Sequence, residues 1–193
     1  MKTDIILAGV GGQGILSIAS ILGEAALREQ LFIKQAETHG MSQRGGAVVS
    51  HLRISDREIA SDLIPLGTAD IILSVEPMEA LRYLPFLSRN GYIVTNTTAF
   101  INIPNYPDLE VILKEIRKQP HFVAIDADQI AGEIGNKRAS NMVILGAASP
   151  FVNIDPEKIE AGIAAIFERK GEEVVSLNRK AFQAGLRFAM EHR

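Results

Sequence analysis

Residues 4–19 read Asp-Ile-Ile-Leu-Ala-Gly-Val-Gly-Gly-Gln-Gly-Ile-Leu-Ser-Ile-Ala, and this stretch constrains the rest of the chain. Ile5, Ile6, Leu7 and Ala8 form a short unbroken apolar run, as a strand buried on both faces requires. Gly9, Gly11, Gly12 and Gly14 then space out a G-x-G-x-x-G turn, and a helical pattern follows through Leu27. In the order strand, glycine turn, helix, the backbone N–H groups and the positive helix end face one point outside the sheet. That makes Gly9, Gly11, Gly12, Gln13 and Gly14 a candidate cofactor-binding turn for a phosphate or carboxylate. A tight turn that only packs helix against strand is the other reading.

Along the remaining chain, apolar runs alternate with helical patterns. Leu31-Phe-Ile-Lys-Gln-Ala36 predicts a second strand completing a β-α-β unit. Residues 47–54 partly alternate, with Val48, Leu52 and Ile54 on one face and His51 and Arg53 on the other, suiting an antiparallel addition to the sheet. Further strands are predicted at 71–75, at 92–95 after an Asn90-Gly91 turn, and at 122–125. Helices are expected from Pro77 to Pro85 and over about 108–118, with 99–108 an exposed loop. From Asp128 onward the pattern is helical. Asp155-Pro-Glu157 forms a cap before Ile159, Ile163, Ile166 and Phe167, and Leu177, Ala181, Ala184 and Phe188 make a last stripe. The fold class is therefore α/β: a single three-layer Rossmann-like domain, residues 1–193, with a mostly parallel sheet and a helical C-terminal third.

The second informative stretch is Glu37-Thr-His-Gly-Met-Ser-Gln-Arg-Gly-Gly46. Glu37, His39, Ser42, Gln43 and Arg44 crowd polar side chains between two apolar strands, beside Gly45 and Gly46. Composition alone fits a functional loop and an ordinary solvated loop equally. For a nicotinamide dinucleotide, an acid is wanted about 20 residues past the glycines. Glu37 has tolerable spacing but opens an irregular loop. Asp126 and Asp128 suit a helix cap better than a site rim. No histidine spacing points to a metal, and no catalytic residue is identified. A net charge of −3 gives no electrostatic reason to expect nucleic acid or an anionic membrane. The absence of cysteine removes disulfides, thiolate catalysis and cysteine-ligated clusters from this chain. Asp4 and the glycines argue against a signal peptide, so a soluble, cytoplasmic protein is expected.

Taken together, the glycine turn and the Glu37–Gly46 motif resemble the gamma-type domain of the 2-oxoacid:ferredoxin oxidoreductases. The His-Gly-Met-Ser-Gln-Arg-Gly-Gly form is similar to the small beta subunits of the indolepyruvate enzymes. Asn141-Met-Val-Ile-Leu-Gly-Ala147 and Asn178-Arg-Lys-Ala-Phe-Gln-Ala-Gly185 also look like later segments of that family. The resemblance implies a subunit with incomplete chemistry. Indolepyruvate or another aryl pyruvate would be oxidatively decarboxylated to an acyl-coenzyme A, with ferredoxin taking the electrons. Thiamin diphosphate and iron-sulfur clusters would lie on a large alpha subunit, and coenzyme A is a possible guest of the glycine turn. Glu37, His39, Ser42, Gln43, Arg44, Gly45 and Gly46 would then lie at the partner's active site or the subunit interface. A stand-alone dinucleotide-binding oxidoreductase and a purely structural subunit are the alternatives.

Overall fold

The structure is a computed structural model that describes residues 1–37 and 45–192. Its centre is a six-stranded sheet of β1 (Lys2–Val10), β2 (Phe32–Glu37), β3 (Ala47–Ser55), β4 (Ala69–Ser74), β5 (Leu87–Asn96) and β6 (Phe122–Ile125). The spatial order is β2-β3-β1-β4-β5-β6. β1, β4, β5 and β6 pair in parallel, whereas β3 runs antiparallel to both β1 and β2. The helices are α1 (Ile15–Arg28), α2 (Pro77–Arg82), α3 (Leu109–Arg117), α4 (Ala127–Glu133), α5 (Ser140–Ala148), α6 (Pro156–Phe167) and α7 (Glu172–His192).

Alternate residues of the strands feed two cores, as the period of two demands. Ile5, Leu7, Leu52, Ile71 and Val94 face α1 and α4–α7, while Ile6, Ala8, Ile72 and Ile93 face α2 and α3. This is the three-layer, mostly parallel arrangement the apolar runs imply. The half of the second face that α2 and α3 leave uncovered carries a strap of residues 57–68, not a helix. Side chains of β3 fasten it. Arg53 Nη1 donates to the carbonyls of Ser61 (3.0 Å) and Leu63 (3.1 Å), and His51 Nδ1 accepts from the Ile64 N–H (3.1 Å).

Several sequence expectations need correction. β2 does not pair with β1, because β3 enters between them and takes up all the hydrogen bonds on that side of β1. Asn90-Gly91 is not a turn ahead of a strand but lies inside β5, where the register against β4 shifts. Ala69 pairs with Leu87, yet Ile71 pairs with Tyr92. A side chain at Gly91 would come within 2.8 Å of the Ala69 carbonyl oxygen, so the irregular stretch lies flat on β4. The buried stripe of α7 is Asn178, Ala181, Phe182, Gly185 and Ala189, rotated from the one expected, and Ile166 of α6 faces outward. The small residues Ala181 and Gly185 decide that rotation, since they let α7 sit down on α5.

β1 is longer than its apolar run, and Asp4 lies wholly buried within it. Arg53 closes on Asp4 with both prongs, Nε to Oδ1 at 2.8 Å and Nη2 to Oδ2 at 3.0 Å, and Lys2 Nζ adds a contact at 2.7 Å. A buried carboxylate is tolerable only when paired in this way.

Candidate functional site at the strand ends

The chain leaves β1 toward one face of the sheet, through α1, and leaves β4 toward the other, through α2. In open α/β sheets the crevice outside the carboxyl ends of two such neighbouring strands is where ligands bind. Gly9–Gly14 and Val75 lie there, joined by the Val75 N–H on the Ala8 carbonyl at 3.0 Å.

The glycine turn is held by its own groups. Val10 N–H donates to the Gln13 Oε1 at 2.7 Å, and Gln13 N–H donates back to the Val10 carbonyl at 3.1 Å. Gly9 is packing: a Cβ there would meet Val75 Cγ2 at 2.4 Å. Gly14 caps α1 in the left-handed region, φ +83°, with the Asn141 amide donating to its carbonyl at 3.2 Å. Asn141 opens no ligand space of its own but ties the start of α5 to the start of α1. Among the described residues, the N–H groups of Gly12 and Gly14 meet no acceptor.

Helix capping separates this corner from the rest of the molecule. α2, α3, α4 and α6 are capped by the side chains of Glu76, Asp108, Asp126 and Asp155. α1 and α5 have no side-chain cap and no acid in their first turns. The positive end of α1 is left uncompensated, whereas α5 continues a 3-10 turn, Lys137–Ala139, that Asn136 caps through the Arg138 N–H at 3.2 Å. Gly12 and Gln13 ahead of α1 and Ser140 at the start of α5 line one pocket of about 380 Å³. Asn96, Asp128 and Arg138 complete its polar lining, and Val75, Phe100 and Ile144 its apolar lining. A larger groove of about 750 Å³ between α4, α6 and α7 is walled by charges of both signs, including Glu133, Glu160, Lys180 and Arg187. It lies away from the strand ends and shares no residue with the glycine turn.

The two stretches singled out in the sequence meet here. Gly11 N–H donates to the Gly46 carbonyl at 2.9 Å and Gly45 N–H to the Gly11 carbonyl at 3.3 Å, extending the β1–β3 ladder into the turn. The Asn102 side chain donates to the Gly45 carbonyl from the other side. His39, Ser42, Gln43 and Arg44 lie outside the described residues. Glu37 ends β2 opposite Ser50, with the Gln35 amide donating to it at 3.1 Å. In a dinucleotide fold the acid-bearing strand is next to the glycine strand; here β3 intervenes, so Glu37 is about 5 Å farther across the sheet. That geometry speaks against the nicotinamide reading.

Asn96, Asp128, Arg138 and Ser140 are pocket residues that the sequence did not single out as a site. Asp126 is the cap of α4, accepting from Gln129 N–H at 2.9 Å, whereas Asp128, given the same role in the sequence reading, lines the pocket. The usable signal was position: each follows or closes a parallel strand or opens a helix.

Beside the pocket, Glu76 is wholly buried at the end of β4 and accepts from the N–H groups of Glu79 (2.9 Å) and Phe100 (3.4 Å) and from the Tyr106 hydroxyl. Burial, and then the bond to Glu76, push the Tyr106 phenol well above its ordinary range. One carboxylate thus fixes both the start of α2 and the 97–108 loop whose Phe100 forms part of the rim.

A mostly parallel α/β sheet with a glycine turn at its switch point and an uncapped helix start beside it belongs to the class of doubly wound folds. The chain belongs to the pyruvate ferredoxin/flavodoxin oxidoreductase family, which matches residues 4–188. It is 39% identical over 200 aligned positions to the indolepyruvate oxidoreductase subunit IorB of Archaeoglobus fulgidus, covering 100% of this chain and 98% of that one. Among solved structures, it resembles the gamma subunit of a keto/oxoacid ferredoxin oxidoreductase from Geobacter sulfurreducens, with 26% identity, 98% and 99% coverage, and a TM-score of 0.72. It also resembles the 2-oxoglutarate:ferredoxin oxidoreductase of Magnetococcus marinus, solved with 2-oxoglutarate, coenzyme A and succinyl-CoA bound. There the identity is 25% and the TM-score 0.79. All of this chain is covered but only 32% of the other, so this chain spans about a third of that protein.

Proposed function

We propose that this chain, residues 1–193, is one gamma-type domain acting as the small subunit of an indolepyruvate-type ferredoxin oxidoreductase in the cytoplasm. The full-length similarity to the Archaeoglobus indolepyruvate oxidoreductase subunit carries this reading. The large subunit holds the thiamin diphosphate and the iron-sulfur clusters, because a chain without cysteine supplies no thiolate for a cluster. Among the described residues there is also no group of three or more His, Asp or Glu side chains able to hold a metal. Electrons pass to ferredoxin from the partner, and the product is an acyl-coenzyme A.

The role of this chain is to bind and to orient. The N–H group of Gly12 and the guanidinium of Arg138 seat a phosphate of coenzyme A, placing the cosubstrate at the face presented to the partner. Glu37, His39, Ser42, Gln43, Arg44, Gly45 and Gly46 form the edge toward the partner's active site. A net charge of −3 offers no electrostatic reason for nucleic acid or an anionic membrane to be a partner. No helix among the described residues is long and apolar enough to cross a membrane.

The test is reconstitution. The chain produced with the large subunit reduces a viologen dye in the presence of indolepyruvate and coenzyme A, while the chain alone neither reduces it nor carries stoichiometric iron. Turnover by the lone chain, or an active large subunit indifferent to its presence, would refute the proposal.

A further inference from the structure

We infer that the tip of the 97–108 loop, Phe100-Ile-Asn-Ile103, is the apolar anchor by which this chain docks into an uncharged cleft of the large subunit. The inference rests on the reading of the chain as a subunit and assigns the surface that this reading leaves open. Phe100, Ile101 and Ile103 are 43%, 74% and 42% exposed, three large hydrophobic side chains within four residues. From 97 to 107 the loop carries no charged residue. Large apolar side chains in surroundings depleted of charge are the composition of an interface centre, whereas a solvated loop is polar.

The tip is held in place on both sides. Phe100 N–H, at 3.4 Å, and the Tyr106 hydroxyl both donate to Oε1 of the buried Glu76. Thr98 N–H donates to Asn96 Oδ1 at 3.3 Å, and the Asn102 side chain donates to the Gly45 carbonyl. Pro104 and Pro107 fix two further φ angles. Ordering a loop costs conformational entropy, and Ile101 recovers little of it by burial within this chain. Side chains ordered in advance of contact bind a partner without that cost.

Two observations select the large subunit over a second copy of this chain. The Asn102 bond sets the tip beside Gly45, so the tip continues the Glu37–Gly46 edge proposed to face the partner. This chain also matches only 32% of the Magnetococcus chain. There one backbone joins the domain to the other two thirds. A separate subunit lacks such a tether and must hold its partner through surface contacts alone.

Sedimentation of the full chain with the large subunit, beside thermal melting of the chain alone, tests the assignment. Ile101→Asp and Ile103→Asp each weaken the complex about tenfold or more, because a charge is forced into an apolar contact. Neither moves the melting temperature of the lone chain, since an exposed tip contributes little to the core. Val111→Asp, on the exposed side of α3, is the control and leaves the complex intact. Either tip variant decides the question, so misfolding of one does not obscure it. Wild-type affinity in both variants overturns the anchor and leaves the subunit reading standing. Failure of the wild-type chain to associate with the large subunit overturns both. Self-association of the lone chain that Ile101→Asp abolishes gives the tip to a second copy and overturns the assignment.

Discussion

Gly146 of α5 and Gly185 of α7 pack backbone to backbone: a Cβ on Gly146 would lie 1.9 Å from the Phe182 carbonyl oxygen, and one on Gly185 would lie 1.9 Å from that of Val143. No side-chain adjustment relieves a clash with backbone, so the two helices would have to separate. Gly185→Ala is expected to destabilise by about 3 kcal/mol, despite the gain of up to about 1 kcal/mol that alanine brings to a helix interior. Thermal melting should fall by roughly 6–12 °C for a domain of this size. Gly132→Ala in α4, where the nearest atom is 3.8 Å away, is the control and should raise stability slightly. Equal effects from both would mean that α5 and α7 are not in backbone contact.

Removing one partner of the Asp4–Arg53 pair leaves the other charge stranded under the strap. Asp4→Ala should cost about 3–5 kcal/mol in denaturant unfolding. Arg53→Lys should also be costly, because lysine cannot hold both carboxylate oxygens and the Ser61 and Leu63 carbonyls together. A cost under about 1 kcal/mol for either would place the pair in solvent.

His51 makes the strap sensitive to acid. Its Nδ1 must be unprotonated to accept from Ile64 N–H, and burial lowers its pKa from 6.5, with Arg53 assisting and Asp62 opposing. Tyr83, partly buried beside Phe86 on the adjoining turn, stays neutral across this range because burial raises its pKa from 10.0. Below about pH 6.5 the unfolded chain takes up a proton that the folded chain resists. Stability from His51 is thus complete above that pH and is lost as pH falls toward the folded value. The slope for one proton cannot exceed about 1.4 kcal/mol per pH unit. Unfolding free energies measured from pH 8 to 5 should show the decline, and His51→Gln, whose amide oxygen can still accept, should flatten it. An unchanged profile would clear His51 of the effect.

Arg44 belongs to the segment outside the described residues, and its role as a contact to the partner or to an anion is proposed from the motif. Arg44→Lys keeps the charge but loses the fork, so activity of the reconstituted complex should drop roughly ten- to hundredfold, equivalent to about 1.5–3 kcal/mol. Melting of the lone chain should not move. Unaltered activity would remove Arg44 from the site.

What was legible in the sequence was what short-range pattern encodes. The β1 run, the glycines and α1 announce themselves within a few residues of each other, and Asp155-Pro-Glu157 marks its own helix start. The position of β3 did not, because pairing Lys2 with Ser55 and Val10 with Ala47 is a long-range choice that no local window contains. Asn96, Asp128 and Arg138 were hidden for a related reason. Each is an ordinary polar residue at an element end, and only the parallel alignment of β4, β5 and β6 gathers them around one pocket. Asp126 and Asp128 look alike as capping candidates; the Asn96 amide, 32 residues away from Asp128, tells them apart.

The antiparallel insertion of β3 divides the tolerance for length change unevenly along the chain. Residues added or removed in the strap beyond Ser55 leave the ladder from Ala47 to Ser55 in step. A single residue gained within β3 itself would turn Val48, Leu52 and Ile54 out of the core and carry the Gly45–Gly46 bonds off the glycine turn. Length changes should therefore gather beyond Ser55, and β3 itself should vary by substitution alone.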